Sequence, residues 1–267
     1  MISVVGIPFD AASSFLRGPA QAPATIRTAF HSDSSNYFTE SGIDLKNHPG
    51  WKDAGDITLS MDPVQSIYSA IQIWLQQGHR MLTMGGDHSI TYPVVKAFHE
   101  KFGKLSILHL DAHADLYDLF EGNRYSHACP FARIMEAGLA SRLVQVGIRT
   151  LNTHQREQAQ RFGVELIEMK NWNPATVFQF SGPVYLSLDL DAVDPAFAPG
   201  VSHHEPGGFS TREVISIIQN LKGNLVGADL VEFNPTRDPS GITAMLAAKL
   251  FKELLDRLLQ SDQLLPA

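Results

Sequence analysis

The residues of this chain that can do chemistry fall into four clusters. Gly85-Gly86-Asp87-His88-Ser89 sets a histidine beside two glycines, and Asp111-Ala112-His113-Ala114-Asp115 alternates carboxylate and imidazole. Asp189-Leu190-Asp191 pairs two carboxylates, and Glu232 stands within Asp229-Leu230-Val231-Glu232-Phe233-Asn234-Pro235. In extended backbone, alternate side chains point the same way. Asp111 and His113 can therefore address one point, as can Asp189 and Asp191. Asp115 can close on that point from just beyond its strand, and His88 can enter from a neighbouring strand end. Four carboxylates and two imidazoles without a thiolate suit a hard divalent cation such as Mn²⁺ better than a structural zinc, which favours cysteine. Six ligands are too many for one catalytic ion. They serve two ions that share bridging carboxylates, and such pairs, about 3.5–4 Å apart, activate water near neutral pH. A lone Asp-x-Asp at a strand end is usually an N-cap or a turn. Gathering four carboxylates without a cation, however, would be strongly repulsive.

Something must bring these separated clusters together. Short apolar runs predict strands over residues 2–8, 80–84, 105–110, 143–147, 184–190 and 225–230. Several are apolar nearly throughout, as strands covered on both faces are. Helices are predicted over residues 63–77, 89–102, 153–162, 210–221 and 240–259, the first opened by Asp62 as N-cap and stopped before Gly78. Strand–helix alternation predicts an α/β fold with a mainly parallel sheet. Each cluster follows a strand, and ligands in such sheets gather at the strands' carboxyl ends. Residues 20–63, rich in Ser, Asn, Asp and Gly, are the least regular stretch and are expected to contain long surface loops. No repeat or linker divides the chain, so residues 1–267 are expected to form one domain.

Bulk properties narrow the function. The chain has 267 residues, 44% of them apolar, and a formal net charge of −7. No basic stripe argues for nucleic acid as a partner, and no apolar run reaches the roughly 20 residues that span a bilayer. The acidic balance is compatible with a cationic substrate. Cys129 is the one cysteine, so no internal disulfide can form, and the amino terminus lacks the basic lead and apolar run of a signal peptide. Together these predict a cytoplasmic protein.

Beyond the clusters, Gly6-Ile7-Pro8-Phe9-Asp10, Arg17-Gly18-Pro19 and Pro23-Ala24-Thr25-Ile26-Arg27 carry a further pattern, as does the run with Ser187, Asp189, Asp191, Pro195, Pro199, Gly200 and Gly208. With these motifs the chain resembles the arginase–agmatinase ureohydrolases over nearly its full length. The resemblance implies a three-layer α/β/α fold around a mainly parallel eight-stranded sheet. It implies two Mn²⁺, one on His88, Asp111, Asp115 and Asp189, the other on Asp111, His113, Asp189 and Asp191, with Asp111 and Asp189 bridging. It also implies Glu232 as the carboxylate that holds the guanidinium, His127 as proton shuttle or general acid, with Asp115 able to share proton transfer, and a homo-oligomer, trimer or hexamer. The product would be urea.

Within the family the substrate turns on details. Tyr117 stands two residues past Asp115, where familiar arginases place Asn, and Gly147-Ile148-Arg149 is followed by no nearby Asp. Both changes remove partners for an amino-acid head, and Tyr117 can flank an alkyl chain or amine. These differences favour agmatine or a similar guanidino compound. The alternatives are an arginase or another acid-bearing guanidino or formimino hydrolase, and a catalytically silent metal-binding relative. A one-zinc deacetylase on a related fold would leave Glu232, and His88 and Asp115 together, unexplained. Ser202-His203-His204 replaces the family's more usual Gly-Thr-Pro-like stretch in a loop expected near substrate, so His203 is either a substrate partner or a solvated rim residue. Cys129 reads as a small buried apolar residue, His109 as packing behind the ligands, and Asp194-Pro195 as a turn.

Overall fold

In the computed structural model, which describes residues 1–262, eight strands form one parallel sheet. The strands are β1 (Ile2–Gly6), β2 (Trp51–Asp56), β3 (Arg80–Met84), β4 (Leu105–Leu110), β5 (Ala140–Ile148), β6 (Glu165–Glu168), β7 (Gln179–Asp189) and β8 (Lys222–Val231). Their order across the sheet is β2-β1-β3-β8-β7-β4-β5-β6. Strands β1, β3 and β4 are buried at every residue, which is what near-continuous apolar runs require of a sheet covered on both faces.

Helices α1 (Ala22–Phe30), α6 (Thr211–Asn220) and α7 (Ile242–Asp262) pack on one face of the sheet and share its core with Phe30, Leu186, Ile218 and Leu254. Helices α2 (Pro63–Gln76), α3 (Thr91–Phe102), α4 (Pro130–Glu136) and α5 (Thr153–Phe162) cover the other, around Ile71, Phe98, Phe131 and Tyr185. The three-layer α/β/α expectation holds. Helix starts follow local chemistry: Asp62 accepts from Gln65 N at the head of α2, and Ser210 and Glu213 close a reciprocal capping box on α6.

Three expectations need correction. Residues 20–63 are not only loops, since they hold α1 and β2. Helix α1 buries Ala22, Ile26, Ala29 and Phe30, a helical spacing within a polar composition. Strands β2 and β6 went unread because they are the sheet's two edges. Each is half solvated, and Trp-Lys-Asp-Ala-Gly-Asp and Glu-Leu-Ile-Glu lack the apolar run of a central strand. The predicted helix over 89–102 starts with a single 3-10 turn, His88–Ile90, before α3.

Candidate active site

Strands β3, β8, β7 and β4 are neighbours at the middle of the sheet. Their carboxyl ends deliver His88, Glu232, Asp189 with Asp191, and Asp111 with His113 and Asp115. The residues singled out in the sequence therefore meet at one place. A tight chain crossing sets the height of His88: Gly86 N donates to Ile7 O, Asp87 N to Phe9 O, and Glu232 N to Gly86 O. A Cβ on Gly86 would lie 1.7 Å from Phe9 O, so only glycine permits this approach. Asp115 and Glu232 both sit at positive φ, 50° and 62°, a costly conformation for non-glycine residues that concentrates at functional sites.

Around His88 the arrangement calls for a cation. His88 Nδ1 is buried without a hydrogen-bond partner. Three carboxylate oxygens converge on it: Asp111 Oδ2 at 3.2 Å, Asp115 Oδ2 at 3.1 Å and Asp189 Oδ2 at 3.0 Å. A second group forms where His113 Nδ1 lies 3.0 Å from Asp191 Oδ2 and 3.4 Å from Asp111 Oδ1. The two oxygens of Asp111 thus belong to different groups, the placement a bridging carboxylate needs. Burial and the neighbouring carboxylates push Asp189 well above the usual carboxylate range and Asp191 in the same direction. Burial opposes charge on His88, yet its surrounding acids raise it well above ordinary histidine. Such a cluster is short of positive charge, and divalent ions fit it.

The imidazoles are oriented from behind. Ser187 Oγ donates to Asp229 Oδ1 at 2.7 Å, so it accepts from His88 Nε2 at 2.9 Å. That bond fixes the tautomer that leaves Nδ1 free to ligate. Asp229 is held in turn by Tyr185 and Thr91 hydroxyls. His109 lies close to His88 and Asp111, but both its nitrogens are engaged. Gln145 Nε2 donates to Nδ1, and Nε2 donates to Asp111 Oδ2 at 2.7 Å. His109 therefore braces Asp111 with both its ring nitrogens engaged in hydrogen bonds.

Above the metal groups lies a cavity of ≈ 200 Å³ whose lining includes Tyr117, His127, Gln155, His203, Glu205 and Glu232. His127 Nδ1 meets Glu232 Oε1 at 2.8 Å, and its Nε2 meets Ser14 Oγ at 2.8 Å. Burial lowers the His127 pKa, but Glu232 outweighs it and raises it to about 9. The Ser14 N–H, 3.2 Å from Nε2, pulls the other way by favouring an unprotonated nitrogen there. Nε2 thus accepts from the Ser14 N–H while Nδ1 faces Glu232, so the ring is held at both nitrogens. Ser14 was not foreseen in the sequence. Its loop is fastened by buried Asp87, which accepts from Ala12 N and Ser13 Oγ.

The remaining candidates divide. Tyr117 lines the cavity, its hydroxyl accepting from Asn152 Nδ2 at 2.6 Å and its ring stacking on His154. His203 also lines the cavity, its ring 5.6 Å from that of His113 and 5.4 Å from that of His127. His204 turns away to Pro199 O. Cys129 is buried, and burial pushes its thiol up to about 12, far from a reactive thiolate. Asp194 caps the turn expected of it, accepting from Ala196, Gly207 and Gly208 N–H groups.

A family model described as "Arginase family" matches residues 1–256. The chain belongs to the arginase family. It is 49% identical over 271 residues to arginase 1, mitochondrial, of Arabidopsis thaliana, covering 94% of this chain and 79% of that protein. It is 38% identical over 269 residues to agmatinase, mitochondrial, of Gallus gallus, covering 94% and 79%. Among solved structures, the arginase from Medicago truncatula superposes with a TM-score of 0.92 at 44% identity, over 96% of this chain and 87% of that one. The chain is accordingly a hydrolase of guanidino C–N bonds. The cytoplasmic expectation does not hold against these relatives, because plant arginases of 48–49% identity are named mitochondrial or chloroplastic. An unpaired cysteine fits any reducing compartment, so counting thiols could not separate them. No helix among the described residues is long and apolar enough to cross a membrane.

Proposed function

We propose that this enzyme hydrolyses L-arginine to L-ornithine and urea, using two Mn²⁺ held by His88, Asp111, His113, Asp115, Asp189 and Asp191. The observation that carries the substrate is the difference in likeness, 49% identity to a plant arginase against 38% to an agmatinase over equal shares of the chain. This replaces the preference for agmatine read from Tyr117 and from the lack of an Asp after Arg149. Neither feature weighs against arginine in the folded chain. The Tyr117 hydroxyl accepts from Asn152, which leaves its proton for a carboxylate. Arg149 donates to the backbone oxygens of Gly147, Asp191 and Glu205, so that strand end is a structural clamp and the head of the substrate is received elsewhere.

A guanidinium carbon resists attack because its charge is spread over three nitrogens. When bound, the metal pair supplies an activated water near neutral pH. The chain supplies the rest. Glu232, almost wholly buried, pairs with the guanidinium in a planar fashion and so orients its carbon. Its fixed bonds, from His88 N and His127 Nδ1, both fall on Oε1. His127, held by Glu232, passes a proton to the departing amine, and Asp115 shares in proton transfer. The test is kcat/KM for urea release from arginine, agmatine and 4-guanidinobutyrate by manganese-loaded protein. Arginine is expected to be best. Agmatine or the guanidino acid coming out ahead would overturn the substrate and leave the family reaction standing.

A further inference from the structure

Five acidic residues line the cavity: Asp115, Asp189, Asp191, Glu232 and Glu205. The first three belong to the metal groups and Glu232 to the guanidinium. Glu205 has no part in either. Its side chain is 38% exposed against 5% for Glu232, so it stands at the mouth while Glu232 lies at the floor. It is not a loose surface acid. Arg149 Nε and Nη2 donate to Glu205 O at 2.9 and 2.6 Å, and Nη2 also donates to Asp191 O at 2.7 Å. One guanidinium thus ties the backbone of Glu205 to that of a metal-binding aspartate. The nearest charged partner of its carboxylate among the described residues is His113, with Nε2 at 3.7 Å from Oε1, beyond hydrogen-bond length, while Arg149 and His203 act on it from farther away. Gln155 lines the same cavity with a buried Oε1 that has no hydrogen-bond partner. The cavity therefore offers an anion held only by a long ion pair with His113 and a neutral acceptor that has no donor.

We infer that Glu205 is the specificity-determining residue at the mouth, receiving the ammonium of a guanidino substrate whose guanidinium is held by Glu232. The inference rests on the arginine reading for the identity of that ammonium, the α-amino group. The chemistry is charge complementarity. A substrate with a cation at each end meets a carboxylate at each end, whereas a guanidino acid without an amino group brings its own carboxylate toward Glu205 and is disfavoured. Tyr117, with its free hydroxyl proton, and the His203 ring remain as donors for the arginine carboxylate.

The experiment compares wild-type, Glu205→Gln and Glu205→Asp proteins, loaded with manganese, on arginine, agmatine and 5-guanidinopentanoate, which is arginine without the α-amino group. Bound manganese is measured alongside. The expected result is a wild-type preference for arginine over 5-guanidinopentanoate that collapses in Glu205→Gln by about tenfold or more, the worth of a charge-assisted hydrogen bond. The loss should lie mainly in KM, with manganese content retained and the preference partly restored in Glu205→Asp. An equal loss on all substrates, or loss of manganese, would show that Glu205 acts through His113 and would overturn the assignment. If wild-type protein prefers agmatine, the arginine reading falls. Glu205 is then judged by the ratio of agmatine to 5-guanidinopentanoate, since agmatine carries an ammonium too.

Discussion

His127 and Glu232, 105 residues apart in sequence, share a 2.8 Å hydrogen bond from Nδ1 to Oε1. Reading each residue alone gives them separate duties, affinity for Glu232 and proton transfer for His127. The bond makes them one unit. Glu232→Gln should lower kcat/KM by about 100-fold or more and His127→Asn by a comparable amount, mostly through kcat. The double variant should lose much less than the product of the two. Strictly multiplicative losses in steady-state kinetics would show two independent residues.

The same bond sets a pH dependence. Glu232 raises the His127 pKa to about 9, above the roughly 6.5 of a free histidine. The stabilisation from this pair is therefore full below about pH 6.5 and is lost as pH rises through 9. In metal-stripped protein, histidine NMR should find His127 titrating far on the alkaline side. In Glu232→Gln it should fall toward the ordinary value, and an unmoved titration would remove the pairing as the cause.

Chelation should abolish urea release, and Mn²⁺ should restore it with about two ions bound per chain. Asp111→Ala removes the carboxylate whose two oxygens divide between the groups and should leave background activity. Cys129→Ser should change little, given a thiol buried away from the reaction. Full activity with one ion per chain would refute the paired site.

Ser187 touches His88 and no substrate. Ser187→Ala deletes the acceptor that fixes the His88 tautomer, so manganese affinity should fall about 10- to 100-fold. Saturating metal should recover much of kcat. A metal titration unchanged from wild type would mean that Ser187 does not set the tautomer.

The convergence of the acidic and histidine side chains was legible because strand geometry turns alternate residues toward one point, as for Asp111 with His113 and Asp189 with Asp191. What stayed hidden lacks that link between local pattern and position. Strands β2 and β6 face solvent at the sheet edges and carry polar residues accordingly. Ser14 reaches His127 only because Asp87, a neighbour of His88, fastens its loop. Glu205, beside Pro206 and Gly207, looks like any acid in a turn until Arg149 draws its backbone to Asp191. Tyr117 lines the cavity, and its commitment to Asn152 and His154 shows only in the folded chain.

Strand β8 lies between β3 and β7, so it alone joins β2-β1-β3 to β7-β4-β5-β6. A ribosome delivers seven strands before it delivers that one. Without residues 222–231, the other seven strands fall into two groups that no strand pairing joins. His88 belongs to the first half, and the aspartates and His113 to the second. The candidate metal groups straddle this seam, so the final strand to be synthesised is the one that brings their two sides together. A chain stopped short of β8 carries all six side chains of the candidate metal groups but lacks Glu232 and the strand that joins the two halves of the sheet.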